Sequence, residues 1–356
     1  MDDLVKKILE IIKGYRNGDI EMITSPMNED HIHCWIEQFD EDDQEFILSE
    51  LLHLLPNSYL TKETTLEIFS TEFEILSKDF GYENVNDFLD ESIFLDCQKD
   101  GKSQKILLKL INDLLSDKYN YKISECGTKK VKHWIYTDDV LASGGTFRND
   151  ILEEIESYGT NEFVESDIRI ISSFFILHTW GSKNVRFALD KKLDFELKDR
   201  LKFYRVAEID NNPYIHPYYN PIPKFNFVYP IESEEGNFFL DFIENAFERT
   251  YEMKNKKFAF RNPDYPKKEE LFSSAENRER YEQILLSKGI EIINSIDNLR
   301  AQSLRPLGMT PPAFKTLGTG SHFFTWRNIS NTCPIVYWWG TNNWHPLFPV
   351  TNRGNH

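Results

Sequence analysis

The sequence predicts an α/β protein: an open, mainly parallel sheet, preceded by a helical block and followed by an aromatic-rich C-terminal extension. Three observations carry this. Apolar runs at Ser92–Asp96 and Trp134–Leu141 are each followed by a small or glycine-bearing polar loop and an amphipathic helix, and a third run spans Ile168–Leu177; strand, loop and helix in alternation build a parallel sheet. Residues 2 to about 80 instead carry apolar side chains at helical spacing throughout. Four of the seven tryptophans (Trp326, Trp338, Trp339, Trp344) fall in the last sixty residues. The resulting division is 1–85 for a helical cap or partner-binding block, 86–230 for the α/β core, and 231–356 for a helical and aromatic-rich region completing the core or its hood.

In chain order, Leu4, Ile8, Ile11 and Ile12 form the stripe of a first helix closed by Gly14 and the Asn17-Gly18 turn. Asn28 or Asp30 caps a second, with Ile32, Trp35 and Ile36. A third carries Phe46, Ile47, Leu51, Leu54 and Leu55 and is expected to stop before Pro56. A fourth starts near Thr61 and turns Leu66, Phe69 and Phe73 inward. His31, His33 and Cys34 lie too close on one helix to converge on a metal, so packing or surface roles are expected. After the core strands the pattern weakens from about 186 to 230, and Asn212–Pro223 reads as a hood loop rich in proline and tyrosine. Helices are expected over 238–251 and 277–296, the second broken at Gly289, joined by a basic-leaning connector over 254–268. Ile335–Trp339 reads as a terminal strand.

Composition bounds the function. The 356 residues, 40% hydrophobic and 28% charged, fit a globular protein with a large core. The Met-Asp-Asp-Leu start lacks a signal-peptide layout and no run has transmembrane length, so a cytoplasmic protein with no membrane role is expected. Four scattered cysteines fit reduced thiols. A net charge of −17 leaves no strong case for direct nucleic-acid binding. Charge is nonetheless uneven: Lys99 to Lys132 holds nine lysines against four acids, and after Asp297 there is no acid at all. Anionic ligands are expected near these zones.

The chemistry concentrates in Trp134-Ile135-Tyr136-Thr137-Asp138-Asp139-Val140-Leu141-Ala142-Ser143-Gly144-Gly145-Thr146. It reads as a buried strand, two carboxylates at the strand's end, and a small loop opening a helix with Ile151, Leu152 and Ile155 on one face. Unpaired amides and the dipole at a helix N-terminus attract phosphate, and paired carboxylates accept hydrogen bonds from vicinal hydroxyls. A second anion-binding layout is Cys97-Gln98-Lys99-Asp100-Gly101-Lys102-Ser103-Gln104, between a strand and a helix and without the spacing of a P-loop. Near the C-terminus, Arg327 and Asn328 among aromatic residues suit contacts to a base or phosphate.

The 134–146 segment resembles the signature of type I phosphoribosyltransferases: hydrophobic strand, acidic pair, Thr/Ser-Gly-Gly-Thr loop. The resemblance implies a phosphoribosyltransferase-type sheet, with Asp138 and Asp139 as catalytic residues at the ribose hydroxyls and Ser143, Gly144, Gly145 and Thr146 at the 5′-phosphate. It also implies a pyrophosphate loop at Lys99, Gly101, Lys102 and Ser103, and Mg²⁺ held indirectly by Asp138 and Asp139. Purine-salvage members carry a carboxylate at the first loop position, where this chain has Ala142; that departure implies an unusual acceptor, or water. Three further stretches resemble the PRTase-CE branch of prokaryotic conflict systems: Trp35-Ile36-Glu37-Gln38-Phe39, Gly101-Lys102-Ser103-Gln104, and Trp326-Arg327-Asn328 through Trp338-Trp339 to Pro346-Leu347-Phe348-Pro349. That branch implies an antiphage effector with a protein partner from its locus, for example a retron reverse transcriptase. Two functions remain open on this reading. One is transfer or hydrolysis at the anomeric carbon of a ribose phosphate such as phosphoribosyl pyrophosphate; the other is a non-catalytic nucleotide or ribose-phosphate sensor regulating a partner.

Overall fold

The computed structural model describes residues 1–17, 26–247, 258–312 and 314–350. In chain order the elements are α1 (Asp2–Ile12), α2 (Glu29–Ile36), α3 (Glu41–Ser58), β1 (Tyr59–Leu60), α4 (Lys62–Asp79), α5 (Val85–Asp90), β2 (Ser92–Phe94), α6 (Ser103–Tyr119), β3 (His133–Leu141), α7 (Gly145–Tyr158), α8 (Thr160–Glu165), β4 (Arg169–His178), α9 (Thr179–Leu193), β5 (Leu201–Ile209), α10 (Glu234–Phe247), α11 (Ala275–Asn294) and β6 (Phe324–Thr325).

Two compact units emerge: residues 62–208, and residues 1–61 together with 209–356. These boundaries differ from the 1–85, 86–230 and 231–356 division. α4 belongs to the sheet, because Phe69 packs on Phe175 with ring centroids 5.5 Å apart and Phe73 on Phe94 at 6.0 Å. The first three helices share a core with the far end of the chain, where Trp35 stacks on Tyr337 and Tyr15 meets Phe348 edge-on.

The 62–208 unit holds a four-stranded sheet in the order β2-β3-β4-β5. β2 pairs with β3 in parallel, Ser92 opposite His133, and β3 with β4 in parallel, His133 opposite Arg169. Side chains of one strand alternate between faces, and here both faces are covered. α4 lies on the side of Phe94 and Phe175, whereas Phe147 of α7 packs edge-on against Tyr136 and Phe174. α6 sides with α4, to which Lys118 ties it through Glu74 at 2.7 Å. The helices that follow neighbouring strands β2 and β3 thus leave toward opposite faces. Such a switch point opens a crevice beyond the strands' carboxyl ends.

α9 and β5 replace the weak pattern expected after residue 186. α9 buries Gly181, Val185 and Leu189 at intervals of four, a stripe too slight to stand out. β5 is buried only at Leu201 and Ile209, so its sequence lacks the alternation of a half-buried strand.

In the other unit β1 pairs with β6 in parallel, Tyr59 opposite Phe324. α3 runs through Pro56 instead of stopping before it; the Ser58 hydroxyl donates to the Leu54 carbonyl and the Tyr59 amide to that of Leu55, closing the last turn. α11 is unbroken at Gly289, where the missing side chain admits Pro306: a Cβ there would sit 2.8 Å from the Pro306 Cβ and carbonyl oxygen. Ile335–Tyr337 forms a 3-10 turn, not a strand. Trp338 and Trp339 are fully buried beside it. Gln38 clamps the tail through the backbone of His345, donating to its carbonyl at 2.8 Å and accepting from its amide at 2.7 Å. α10 starts at Glu234, earlier than the expected helix over 238–251, whose residues after 247 lie outside the described ones, as do 254–257 of the expected connector. Among the described residues no helix is long and apolar enough to cross a membrane.

Candidate functional site

β3 is buried from His133 to Asp138, and its chain of Trp134, Ile135 and Tyr136 fixes where the acidic pair sits. The ladder continues past that pair, with Val140 opposite Ile176 and Leu141 opposite Leu177. Asp138 and Asp139 therefore lie inside the strand and not at its tip, because the apolar run of β4 extends far enough to pair two more residues. Adjacent strand residues point to opposite sides. Asp138 is 9% exposed and Asp139 is half-buried.

The Asp138 carboxylate is held on both oxygens. Oδ1 accepts from the Ser103 hydroxyl at 2.5 Å and from the Asp139 amide at 2.9 Å; Oδ2 accepts from Gln98 Nε2 at 2.7 Å. Burial first, and the neighbouring Asp139 charge second, push its carboxyl up to about 7, against the pull of those donors. Asp139 Oδ1 accepts from the Val140 amide at 2.9 Å.

The loop between β2 and α6 is built around Gln104, which is fully buried. Its side-chain oxygen accepts from the amides of Cys97 and Gln98, both at 2.9 Å. Gly101 has φ +83°, a left-handed conformation that glycine adopts without strain. Lys99 and Lys102 are exposed, and among the described residues neither forms an ion pair. In the same lysine-rich stretch Lys109 and Lys122 are likewise exposed without an ion pair among the described residues, whereas Lys105, Lys118, Lys129, Lys130 and Lys132 are each paired with a carboxylate.

The second loop is seated on α9. Gly144 has φ +76°, and a Cβ there would lie 2.0 Å from Val185 Cγ2; at Gly181 a Cβ would lie 1.8 Å from the Ala142 carbonyl oxygen. Both glycines are thus needed for the loop to approach the helix. Ser143 and Thr146 are exposed at its rim. The Gly145 amide has only the Ser143 hydroxyl, at 3.4 Å, and among the described residues nothing accepts from the amides of Thr146 and Phe147. This open N-terminus of a fourteen-residue helix can take an anion.

Asp138, Ser103 and the loop between β2 and α6 thus come together beside β3, Asp139 lies on the strand's other side, and the loop opening α7 follows directly at the strand's end. Gln98, Tyr136 and Asp150 join them, unforeseen from the sequence: Gln98 Nε2 also donates to Tyr136 Oη at 2.9 Å, and Tyr136 Oη donates to Asp150 at 2.8 Å. Asp150 interrupts the inward stripe of Phe147, Ile151 and Ile155, and that misfit was the available signal. His178, at the end of β4, is fully buried, and burial drives it down to about 3, so it is neutral.

Arg327 and Asn328 belong to the other unit, in a tight turn after β6. The Asn328 carbonyl accepts from the Thr325 amide at 3.0 Å and from its hydroxyl at 2.9 Å. The acid-free C-terminal zone is mainly structural in its described part. Lys315 pairs with Asp241 and Glu244, and Arg305 is fully buried, donating to the Gln302 and Leu304 carbonyls. The Trp338 and Trp344 indoles donate to the Cys333 and Val336 carbonyls.

Among the described residues no three His, Cys, Asp or Glu side chains converge as metal ligands. A site offering one or two carboxylates fits Mg²⁺, which keeps waters and takes phosphate oxygens for the remainder of its shell. The chain matches no curated protein and no solved structure. A family model, that of PRTase-CE, matches residues 32–350. With a phosphoribosyltransferase-like α/β sheet, an acidic pair in its strand and the match across nearly its whole length, the chain belongs to the PRTase-CE family.

Proposed function

We propose that this protein binds a ribose phosphate such as phosphoribosyl pyrophosphate at the switch point between β2 and β3 and acts at its anomeric carbon. The observation that carries the reading is the side-by-side placement of two features. One is an open helix N-terminus beside two carboxylates; the other is a loop with two exposed lysines. The 5′-phosphate takes the amides of Gly145, Thr146 and Phe147 with the Ser143 and Thr146 hydroxyls, and the ribose hydroxyls meet the acidic segment of β3 through Asp139. Loss of pyrophosphate builds positive charge on the sugar and negative charge on the leaving group. Lys99 and Lys102 offset the latter, and stabilisation of this kind dominates such reactions. Asp138 and Asp139 are the residues that would hold Mg²⁺ indirectly, and the ion would supply further charge stabilisation to the leaving group. Ala142 places no carboxylate at the first loop position, so the acceptor is water or a base other than a salvaged purine. Family membership, together with the resemblance to prokaryotic conflict systems, supports an effector role in antiphage defence in the cytoplasm, with a protein partner from the same locus.

The test is calorimetry with phosphoribosyl pyrophosphate and Mg²⁺, followed by a pyrophosphate-release assay. The reading expects saturable binding in the range of roughly 1 μM to 1 mM, pyrophosphate release, and loss of both in Asp139→Asn. Binding without release would favour the sensor; no binding at all would overturn both.

A further inference from the structure

The two aspartates are not equivalent. Asp138 is buried, and three of the roughly four acceptor positions of a carboxylate are already filled, by Ser103, Gln98 and the Asp139 amide. A ribose hydroxyl could bond it strongly only by displacing the Ser103 or Gln98 donor. Asp139 is half-buried, on the other side of the strand. Ser103 is the first residue of α6 and Gln98 lies at the start of the preceding loop, so that loop cannot shift without disturbing Asp138. Gln98 has a second bond, to Tyr136, which in turn bonds Asp150 of α7. A continuous hydrogen-bonded chain therefore runs from Ser103 at the start of α6, through Asp138, Gln98 and Tyr136, to Asp150, one and a half turns into the helix that presents the phosphate amides.

We propose that Gln98 and Ser103 are positioning residues that lock Asp138 as an internal tie between the two anion-binding loops, leaving Asp139 as the carboxylate that contacts the ribose. This rests on the ribose-phosphate reading above. The consequence is thermodynamic coupling: an anion that orders one loop pre-orders the other, so each ligand strengthens the other's binding by the same factor.

The experiment uses the full chain with Mg²⁺ and measures the Kd of ribose 5-phosphate with and without saturating inorganic pyrophosphate. In the unaltered protein pyrophosphate should tighten ribose 5-phosphate binding by at least about fivefold, the lower end of typical coupling. Ser103→Ala and Gln98→Leu should each bring that factor near one while leaving the Kd for ribose 5-phosphate alone within about threefold, under 1 kcal/mol. Ser103→Thr, which keeps the hydroxyl, should restore it, an outcome that misfolding would not give. Asp139→Asn should lose ribose 5-phosphate, and Asp138→Asn should keep it. Intact coupling in Ser103→Ala and Gln98→Leu, or equal loss of binding in Asp138→Asn and Asp139→Asn, overturns the inference and leaves the binding site standing. Absence of ribose 5-phosphate binding by the unaltered protein overturns the functional reading and this inference with it.

Discussion

Gly144→Ala is the perturbation for which the structure supplies the most complete arithmetic. Gly144 has φ +76°, where any residue with a Cβ incurs roughly 1–2 kcal/mol. The added methyl would lie 2.0 Å from Val185 Cγ2 and 3.4 Å from its Cβ. Val185 is buried on α9 with little room to retreat, and overpacking at such a position costs about 1–3 kcal/mol. The expected loss is thus about 2–5 kcal/mol in urea unfolding. Val185→Ala removes the obstructing methyl and alone costs about 1.5 kcal/mol, from two buried methyls at roughly 0.8 each. In the double variant the clash disappears and only backbone strain and the lost methyls remain. The two changes should therefore fall short of additive by about 1–3 kcal/mol, the signature of direct contact. A Gly144→Ala protein within about 0.5 kcal/mol of the original, or strict additivity in the double variant, would refute this account of the loop.

Three other outcomes are expected. Glu72 of α4 is only partly buried as a residue, yet its Oε1 is out of solvent and unpaired while Oε2 accepts from Ser173 at 2.7 Å; burial lifts its carboxyl from an ordinary 4.5 to about 7. A raised carboxyl stabilises the fold fully below its unfolded value and loses that contribution as pH rises through the folded one. Unfolding measured at about pH 5 and pH 8 should therefore show the original protein losing roughly 2–3 kcal/mol relative to Glu72→Gln, whereas parallel curves would contradict the assignment. Gly289→Ala gains about 1 kcal/mol in helix propensity, but the new Cβ meets Pro306 at 2.8 Å at a cost of about 1–3 kcal/mol, so a net loss of up to about 2 kcal/mol is expected and a higher Tm would count against the packing. Glu282 is fully buried between Arg278 at 3.0 Å and Arg261 at 3.1 Å; Glu282→Gln leaves two guanidinium groups facing each other and should cost about 3–5 kcal/mol, read by denaturation. A loss under about 1 kcal/mol would show the pair to be dispensable.

What could be read directly from the sequence was local. The apolar runs of β2, β3 and β4 announce themselves because parallel strands are buried on both faces, and Ser143 to Thr146 announce a helix N-terminus because small residues must precede it there. Pro56 and Gly289 misled because breaker signals yield to packing: a closed last turn in one case, a close approach to Pro306 in the other. The units were hidden because contacts between residues hundreds of positions apart, such as Trp35 Nε1 with the Val336 carbonyl, leave no periodic trace. The same holds for the site. The acidic pair was visible, but which carboxylate is engaged depends on Ser103 and Gln98, some 35 to 40 positions away. His31 was legible only as a helix residue, whereas its ring hydrogen-bonds that of His345 at 3.0 Å.

The most direct test of a sugar phosphate seated at α7 is to follow the backbone amides of Gly145, Thr146 and Phe147 by NMR during titration with ribose 5-phosphate. Saturable downfield shifts at these three amides, abolished by Gly144→Ala, are what the account predicts. Binding that leaves all three unmoved while shifting amides elsewhere would contradict it.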